Sequence, residues 1–210
     1  MSDFFSPSTF PQSTLLLVFA ATSLSSSRAA PKPDDYLPLN EGDEWTMNAI
    51  ITSPNGTKST AIARRKVEGK VERDGKNYIR ARTWIETGQA PVEYAKLTRK
   101  NETGFYSIDE SAKNPKEQVE VILPFKIGQT WKKVFGQWNT TDTVVGLETV
   151  TVNGKTYENC YHLRSETADG AYKEDFWEAP GVGSVKSEIV YGDGSKIVLT
   201  LKEFKSGKAK

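Results

Sequence analysis

The chain is poor in the residues that most often carry chemistry. Its 210 residues include one cysteine, one histidine and two methionines. Cys160 alone cannot close an intramolecular disulfide, so the fold has to stand on its core. With His162 the only imidazole, a zinc site would need carboxylates for most of its ligands, which is uncommon. The sequence therefore predicts no metal and no cofactor. Charge of one sign is also lacking: Lys plus Arg number 28 against 27 Asp plus Glu, in no long block. A nucleic-acid partner would call for a basic face, and a field that steers acidic ligands would call for a net charge. No apolar run reaches the length of a bilayer span, so no transmembrane segment is expected in the mature chain.

What is present is a core-forming set of aromatics. Five Trp, eight Tyr and nine Phe argue against disorder, although only 37% of the residues are hydrophobic. Thr14 to Leu24 (TLLLVFAATSL) has the length and character of a signal h-region. Ser27-Arg28-Ala29 places small residues at −3 and −1 of a cut after Ala29. Residues 1–29 are thus expected to be a signal peptide and 30–35 a linker, with the mature protein periplasmic or extracellular. The n-region departs from the usual pattern, carrying Asp3 and no Lys or Arg.

From Tyr36 the sequence alternates with period two. Trp45, Met47, Ala49 and Ile51 form one such set, Ile79, Ala81, Thr83 and Ile85 another, and Ile197, Leu199 and Leu201 a third. Alternation sends one side-chain set to a core and the other to solvent, as in antiparallel sheets. Asn55-Gly56, Asp74-Gly75, Asn153-Gly154, Asp169-Gly170 and Asp193-Gly194 punctuate these runs with tight-turn chemistry. The stretch from Asp109 to Glu117 contains Pro115, lacks large apolar residues and reads as a loop. No stretch carries a helical apolar stripe.

The chain also repeats itself. Leu37-Pro38-Leu39-Asn40-Glu41-Gly42-Asp43-Glu44-Trp45 matches Leu123-Pro124-Phe125-Lys126-Ile127-Gly128-Gln129-Thr130-Trp131 as L-P-[L/F]-x-x-G-x-x-W. Gly75-Lys76-Asn77-Tyr78 then matches Gly154-Lys155-Thr156-Tyr157. The pattern predicts an all-β domain over residues 36–205, an antiparallel curved sheet or open barrel. It would be built from two pseudo-repeated meanders, 36–122 and 123–205, with a polar tail at 206–210. Each half alone would close a poor core.

These motifs resemble a family of uncharacterised bacterial secreted proteins. Asp35-Tyr36-Leu37-Pro38-Leu39, with Gly42 and Trp45, is similar to its opening, and Leu123-Pro124-Phe125, with Gly128 and Trp131, to its second signature. Trp177-Glu178-Ala179-Pro180-Gly181-Val182-Gly183-Ser184-Val185-Lys186 is similar to a third. The resemblance spans roughly Asp35 to Phe204. It brings no activity and no catalytic residues, and implies a fold similar to the open β-barrels of lipoprotein carriers of the bacterial envelope.

Candidate sites follow from residue types. Cys160 and His162 lie two apart on a predicted strand and share a face. A nucleophile–base pair is conceivable, but no third group orients it, and the expected role of Cys160 is packing. Gly181 to Ser187 lacks the Gly before Lys that a phosphate loop needs, and reads as a turn into a strand. Glu174 and Asp175 are adjacent on a strand and point to opposite faces, so they form no natural dyad. Catalytic residues are therefore assigned to none. Trp45, Trp131, Trp177, Gly42, Gly128, Pro180, Gly181 and Gly183 are expected structural anchors. Trp84, Trp138, Arg80 and Arg82 are the candidate contacts for a ligand or partner.

Three functions fit this reading. The first is an exported, non-enzymatic β module that binds an apolar ligand, a lipid or a protein. The second is an extracytoplasmic hydrolase working with carboxylates. The third is a structural component of an envelope assembly. Residual apolar surface beyond the core would favour the first or the third, and two converging carboxylates in a cleft the second.

Overall fold

The computed structural model describes residues 31–87 and 91–207. The signal segment, the cut after Ala29 and the end of the polar tail lie outside the described residues. Alternating sequence and Asn/Asp-Gly turns give twelve strands: β1 (Glu44–Thr52), β2 (Lys58–Arg73), β3 (Lys76–Glu86), β4 (Val92–Asn101), β5 (Gly104–Asp109), β6 (Gln118–Ile122), β7 (Thr130–Phe135), β8 (Trp138–Val152), β9 (Lys155–Glu166), β10 (Tyr172–Ala179), β11 (Gly183–Tyr191) and β12 (Lys196–Lys205). A short 3₁₀ turn, Pro33–Tyr36, precedes them. The Pro115-containing stretch that follows β5 is a loop, as expected.

All twelve strands form one antiparallel sheet, in the order β6-β5-β4-β3-β2-β1-β12-β11-β10-β9-β8-β7. Two up-and-down meanders, β1–β6 and β7–β12, are joined by the β1–β12 ladder. The sheet curls into a nearly closed barrel. At the remaining seam β6 meets β7 through side chains: Trp131 Nε1–H donates to the Glu120 carbonyl at 3.1 Å, and the Val134 N–H to Gln118 Oε1 at 2.8 Å. Covering a sheet edge in this way keeps it from pairing with another chain.

Turn chemistry places the hairpins. Asp74 and Gly75, and Asn153 and Gly154, all have positive φ, the pairing that a two-residue hairpin turn requires. The turns β1–β2, β5–β6, β7–β8, β9–β10 and β11–β12 share one end of the barrel with the end of β3 and the start of β4, here the upper end. The lower end receives the two proline segments. Tyr36 is buried there, with its hydroxyl donating to the Asn159 carbonyl at 2.9 Å and its ring edge-on to Tyr161. Leu123 and Phe125 are buried in the same cluster, with Phe105, Val121, Trp131, Val144 and Leu163. A second cluster holds Trp45, Val67, Ala81, Cys160, Val185 and Leu201.

The turns that lead into β1 and β7 carry matching bonds. Gly42 N–H donates to the Val67 carbonyl and Val67 N–H to the Asp43 carbonyl, while Gly128 N–H donates to Val144 and Val144 N–H to Gln129. Gly42 and Gly128 have φ of +87° and +83°, where a side chain would strain the backbone.

Candidate functional site

Strand pairing defines the lumen. The cross-strand row Trp45, Arg65, Thr83 and Tyr94 shares one face of β1 to β4. On β10, alternation sends Glu174, Phe176 and Glu178 to the lumen, and Asp175 and Trp177 to the outer face.

One side of the lumen is filled by an ion network. Lys133 Nζ lies 2.8 Å from Asp142 Oδ2 and 3.8 Å from Glu120 Oε1. Lys96 Nζ is 3.2 Å from Glu120, which also accepts from Ser107 Oγ at 2.7 Å. Burial opposes the charge on Glu120, but Lys96 and Lys133 outweigh it and hold the carboxyl well below the usual range. Burial likewise opposes the Lys133 ammonium, and Glu120 and Asp142 raise its pKa regardless. Each charge in this network thus has its partner.

The other side is hollow. A cavity of about 200 Å³ is lined by Leu37, Pro38, Trp45, Met47, Ala63, Arg64, Arg65, Thr83, Tyr94, Glu174, Glu178, Gly183, Ser184, Ser187 and Leu199, with Arg64 paired to Glu86 at 3.2 Å. Glu174 is satisfied within its wall, accepting from Tyr172 OH at 2.6 Å and Ser187 Oγ at 2.6 Å. Glu178 is not. It is 8% exposed, and its Oε2 is buried without a hydrogen bond. Burial pushes its pKa up to about 8; Arg65 pulls it down, while Glu174 and Glu120 push it up. Arg65 holds its guanidinium 5.2 Å from the centroid of the Trp45 ring. Trp45 is fixed in turn by its Nε1–H, which donates to the Val182 carbonyl at 2.6 Å. Gly183, at φ +80°, completes the lower wall, where a Cβ would stand 3.3 Å from Pro38.

The structure separates the expected contact residues. Arg80, Arg82 and Trp84 lie on the outer face of β3, engaged with carboxylates. Arg80 pairs with Glu110 at 2.8 Å, Arg82 with Glu68 at 2.6 Å and with Glu93, and Trp84 Nε1–H donates to Glu93 at 3.1 Å. Trp138 is elsewhere, in an aromatic group with Phe135, Tyr172 and Tyr191 at the upper end. The four residues therefore form no common patch. Eight large apolar or aromatic side chains are exposed among the described residues. Six of them, Ile50, Val92, Tyr94, Val134, Phe135 and Val190, stand near upper turns.

Of the expected anchors, Trp45, Trp131 and Trp177 are buried. Trp177 is packed on the outer wall between the His162 ring, stacked at 4.6 Å, and Lys186 Nζ, also at 4.6 Å. Gly181 N–H donates to the Asp35 carbonyl at 2.6 Å, and Pro180 precedes it in the β10–β11 turn. Cys160 and His162 do not meet. The Cys160 thiol is fully buried, its Sγ is 3.4 Å from the Tyr157 carbonyl, and burial pushes its pKa up to about 11. His162 sits between two carboxylates instead, Nδ1 2.8 Å from Glu148 and Nε2 2.8 Å from Asp175.

Sequence reasoning did not single out Arg65 or Glu178. Glu178 lay inside the Trp177 to Lys186 motif, and its position before a Pro-Gly turn suggested only architecture. On β2 the set Ala61, Ala63, Arg65 and Val67 is apolar but for Arg65, and that was the available signal, but it needed the register to be read.

No protein-family model matches the chain, and no curated protein matches it. Solved structures do. A candidate lipoprotein from Parabacteroides distasonis has a TM-score of 0.50 at 11% identity, covering 85% of this chain and 100% of that one. A candidate exported protein with a YmcC-like fold from Bacteroides fragilis has a TM-score of 0.46 at 15% identity, covering 80% and 98%. A LolA superfamily protein from Nitrosomonas europaea has a TM-score of 0.37 at 8% identity, covering 85% and 91%. The likeness to the first is one of fold.

Proposed function

We propose that the protein is an exported, non-enzymatic binding module that holds a small ligand with an apolar body in its barrel lumen. The cavity walled by Trp45, Met47, Ala63 and Leu199 carries this reading. The network around Lys133 and Glu120 fills the opposite side, so the space beside Trp45 is a defined pocket rather than a general looseness of the core. Its size limits the occupant. An apolar cavity of about 150 Å³ holds benzene, so about 200 Å³ suits an aliphatic body of roughly eight heavy atoms. A whole lipid is too large for the lumen in this form. The exposed apolar residues at the upper end support arrival of the ligand from an apolar source, such as a membrane or a protein partner. The signal-like segment and the fold shared with a candidate lipoprotein support an envelope location.

One observation favours the hydrolase reading: Glu174 and Glu178 line the same cavity. Glu174, however, is held in place by Tyr172 and Ser187, and Glu178 Oε2 has no hydrogen-bond partner to orient it. The binding reading is therefore preferred.

Titration with octanol tests it, read by tryptophan fluorescence and thermal shift. The native protein should saturate and be stabilised, while Ala63→Phe, which fills the cavity, should stay folded and lose the response. An unchanged response in Ala63→Phe would place the probe outside the lumen and overturn the reading.

A further inference from the structure

Within this barrel, the lumen charges fall into two kinds. Lys96, Lys133, Glu120 and Asp142 are paired with one another, and Glu174 is bonded to two hydroxyls. Arg65 and Glu178 are left over, both on the cavity wall. Among the described residues, no carboxylate comes within ion-pair distance of Arg65; its recorded contact is the Trp45 ring. Glu178 Oε2 is buried without a partner, in a side chain more than nine-tenths enclosed. Burying a polar group without a hydrogen bond is costly, and such a group in a cavity wall invites a ligand atom to complete it.

Resting on the lumen-binding reading, we propose that Arg65 and Glu178 together recognise an oxyanion head, a carboxylate or phosphate, on a short aliphatic body. Arg65 supplies fixed positive charge and forked N–H donors suited to such a head. Glu178, in its neutral form, donates an O–H to the same group. Burial and the neighbouring Glu174 and Glu120 favour the protonated form of Glu178, against the pull of Arg65 and Lys133. Trp45, Met47 and Leu199 accommodate the body, and Leu37 and Pro38 close the lower end. A cationic head is disfavoured because Arg65 already occupies the wall.

The pH dependence has a definite sign. Neutral Glu178 donates to the head; once ionised, it repels the head. Affinity for an oxyanion ligand should therefore fall as pH rises through the Glu178 titration.

The test is calorimetric titration of the full protein with octanoate, octyl phosphate, octanol and octylammonium. At least one oxyanion ligand should bind about tenfold or more tightly than octanol, and the tighter of the two identifies the head. Its affinity should fall about tenfold or more between about pH 6.5 and about pH 9.5. Glu178→Gln, which keeps a neutral donor, should bind it with no such fall. Arg65→Met should lose the preference over octanol while still binding octanol, which shows that the variant is folded. Octanol binding as tightly as both oxyanions, octylammonium binding best, or an unchanged pH profile in Glu178→Gln would overturn the head-group proposal and leave the lumen reading standing. If none of the four binds a folded protein, both fall.

Discussion

Asp43 and Gln129 do the same work in two separate turns. Asp43 Oδ2 accepts the Asn40 N–H at 2.8 Å, and Gln129 Oε1 accepts the Lys126 N–H at 3.1 Å. Each then donates its own N–H back to the carbonyl of that same residue. Asp43 has the heavier task, since Oδ1 also accepts the Gly207 N–H at 2.7 Å and the side chain is fully buried. Asp43→Ala should cost about 2–4 kcal/mol, because it removes two bonds to a fully buried carboxylate and leaves two part-buried N–H groups unpaired. Gln129→Ala, at a half-buried site with one such bond, should cost about 1 kcal/mol. Urea unfolding of the two variants checks the ranking.

The tryptophans that end the two motifs should weigh alike. Trp45 and Trp131 are 4% and 6% exposed and each donates its indole N–H to a backbone carbonyl. Either change to Ala should cost about 3–5 kcal/mol, read from urea midpoints. The Trp131 variant should also loosen the β6–β7 seam, seen as faster amide exchange along β7.

Much of this architecture was legible in the sequence. Period-two alternation and Asn/Asp-Gly turns mark the strand-and-turn pattern because side-chain direction on a strand is local. The L-P-x-x-x-G-x-x-W motif marks both turns because Gly at positive φ and a buried Trp are needed at each. The pocket was not legible. Arg65 lies in the charged run Arg64-Arg65-Lys66, and only its register against Trp45 turns it inward. The unpartnered state of Glu178 depends on β6, β7 and β11 as well as its own strand, and no local pattern encodes that. Trp84 shares a strand face with Arg80 and Arg82 and Trp138 sits in a polar stretch, but these local signals say nothing of their distance, and the barrel places them apart.

Cys160 should behave as a packing residue. With the thiol fully enclosed and its pKa pushed up to about 11 by burial, little thiolate forms near neutral pH. A thiol reagent should label the native protein far more slowly than the urea-unfolded chain. Labelling at equal rates would show that the site is open.

Stability should carry the mark of Glu178. Its folded pKa, about 8, lies above the ordinary carboxyl value, so the folded state holds the extra proton. Stability contributed by this group is complete below the unfolded pKa and declines as pH rises toward the folded one. The loss amounts to at most about 5 kcal/mol between about pH 4.5 and pH 8. Glu117 acts in the opposite sense: Arg99 leads in holding its pKa down to about 2, so its contribution is lost as pH falls from the ordinary value toward that one. Glu178→Gln should flatten the decline above about pH 5 and leave the acid limb in place, as read from urea midpoints across the pH range.

The most direct test of the lumen as a binding site is to locate a ligand in it. Crystals soaked with 8-bromooctanoate, with data collected at the bromine absorption edge, place the bromine atom without bias. The account predicts an anomalous peak inside the barrel against Trp45, Met47 and Leu199, with the carboxylate toward Arg65 and Glu178. A bromine peak confined to the outer wall or the upper rim, with the lumen unchanged, would contradict it.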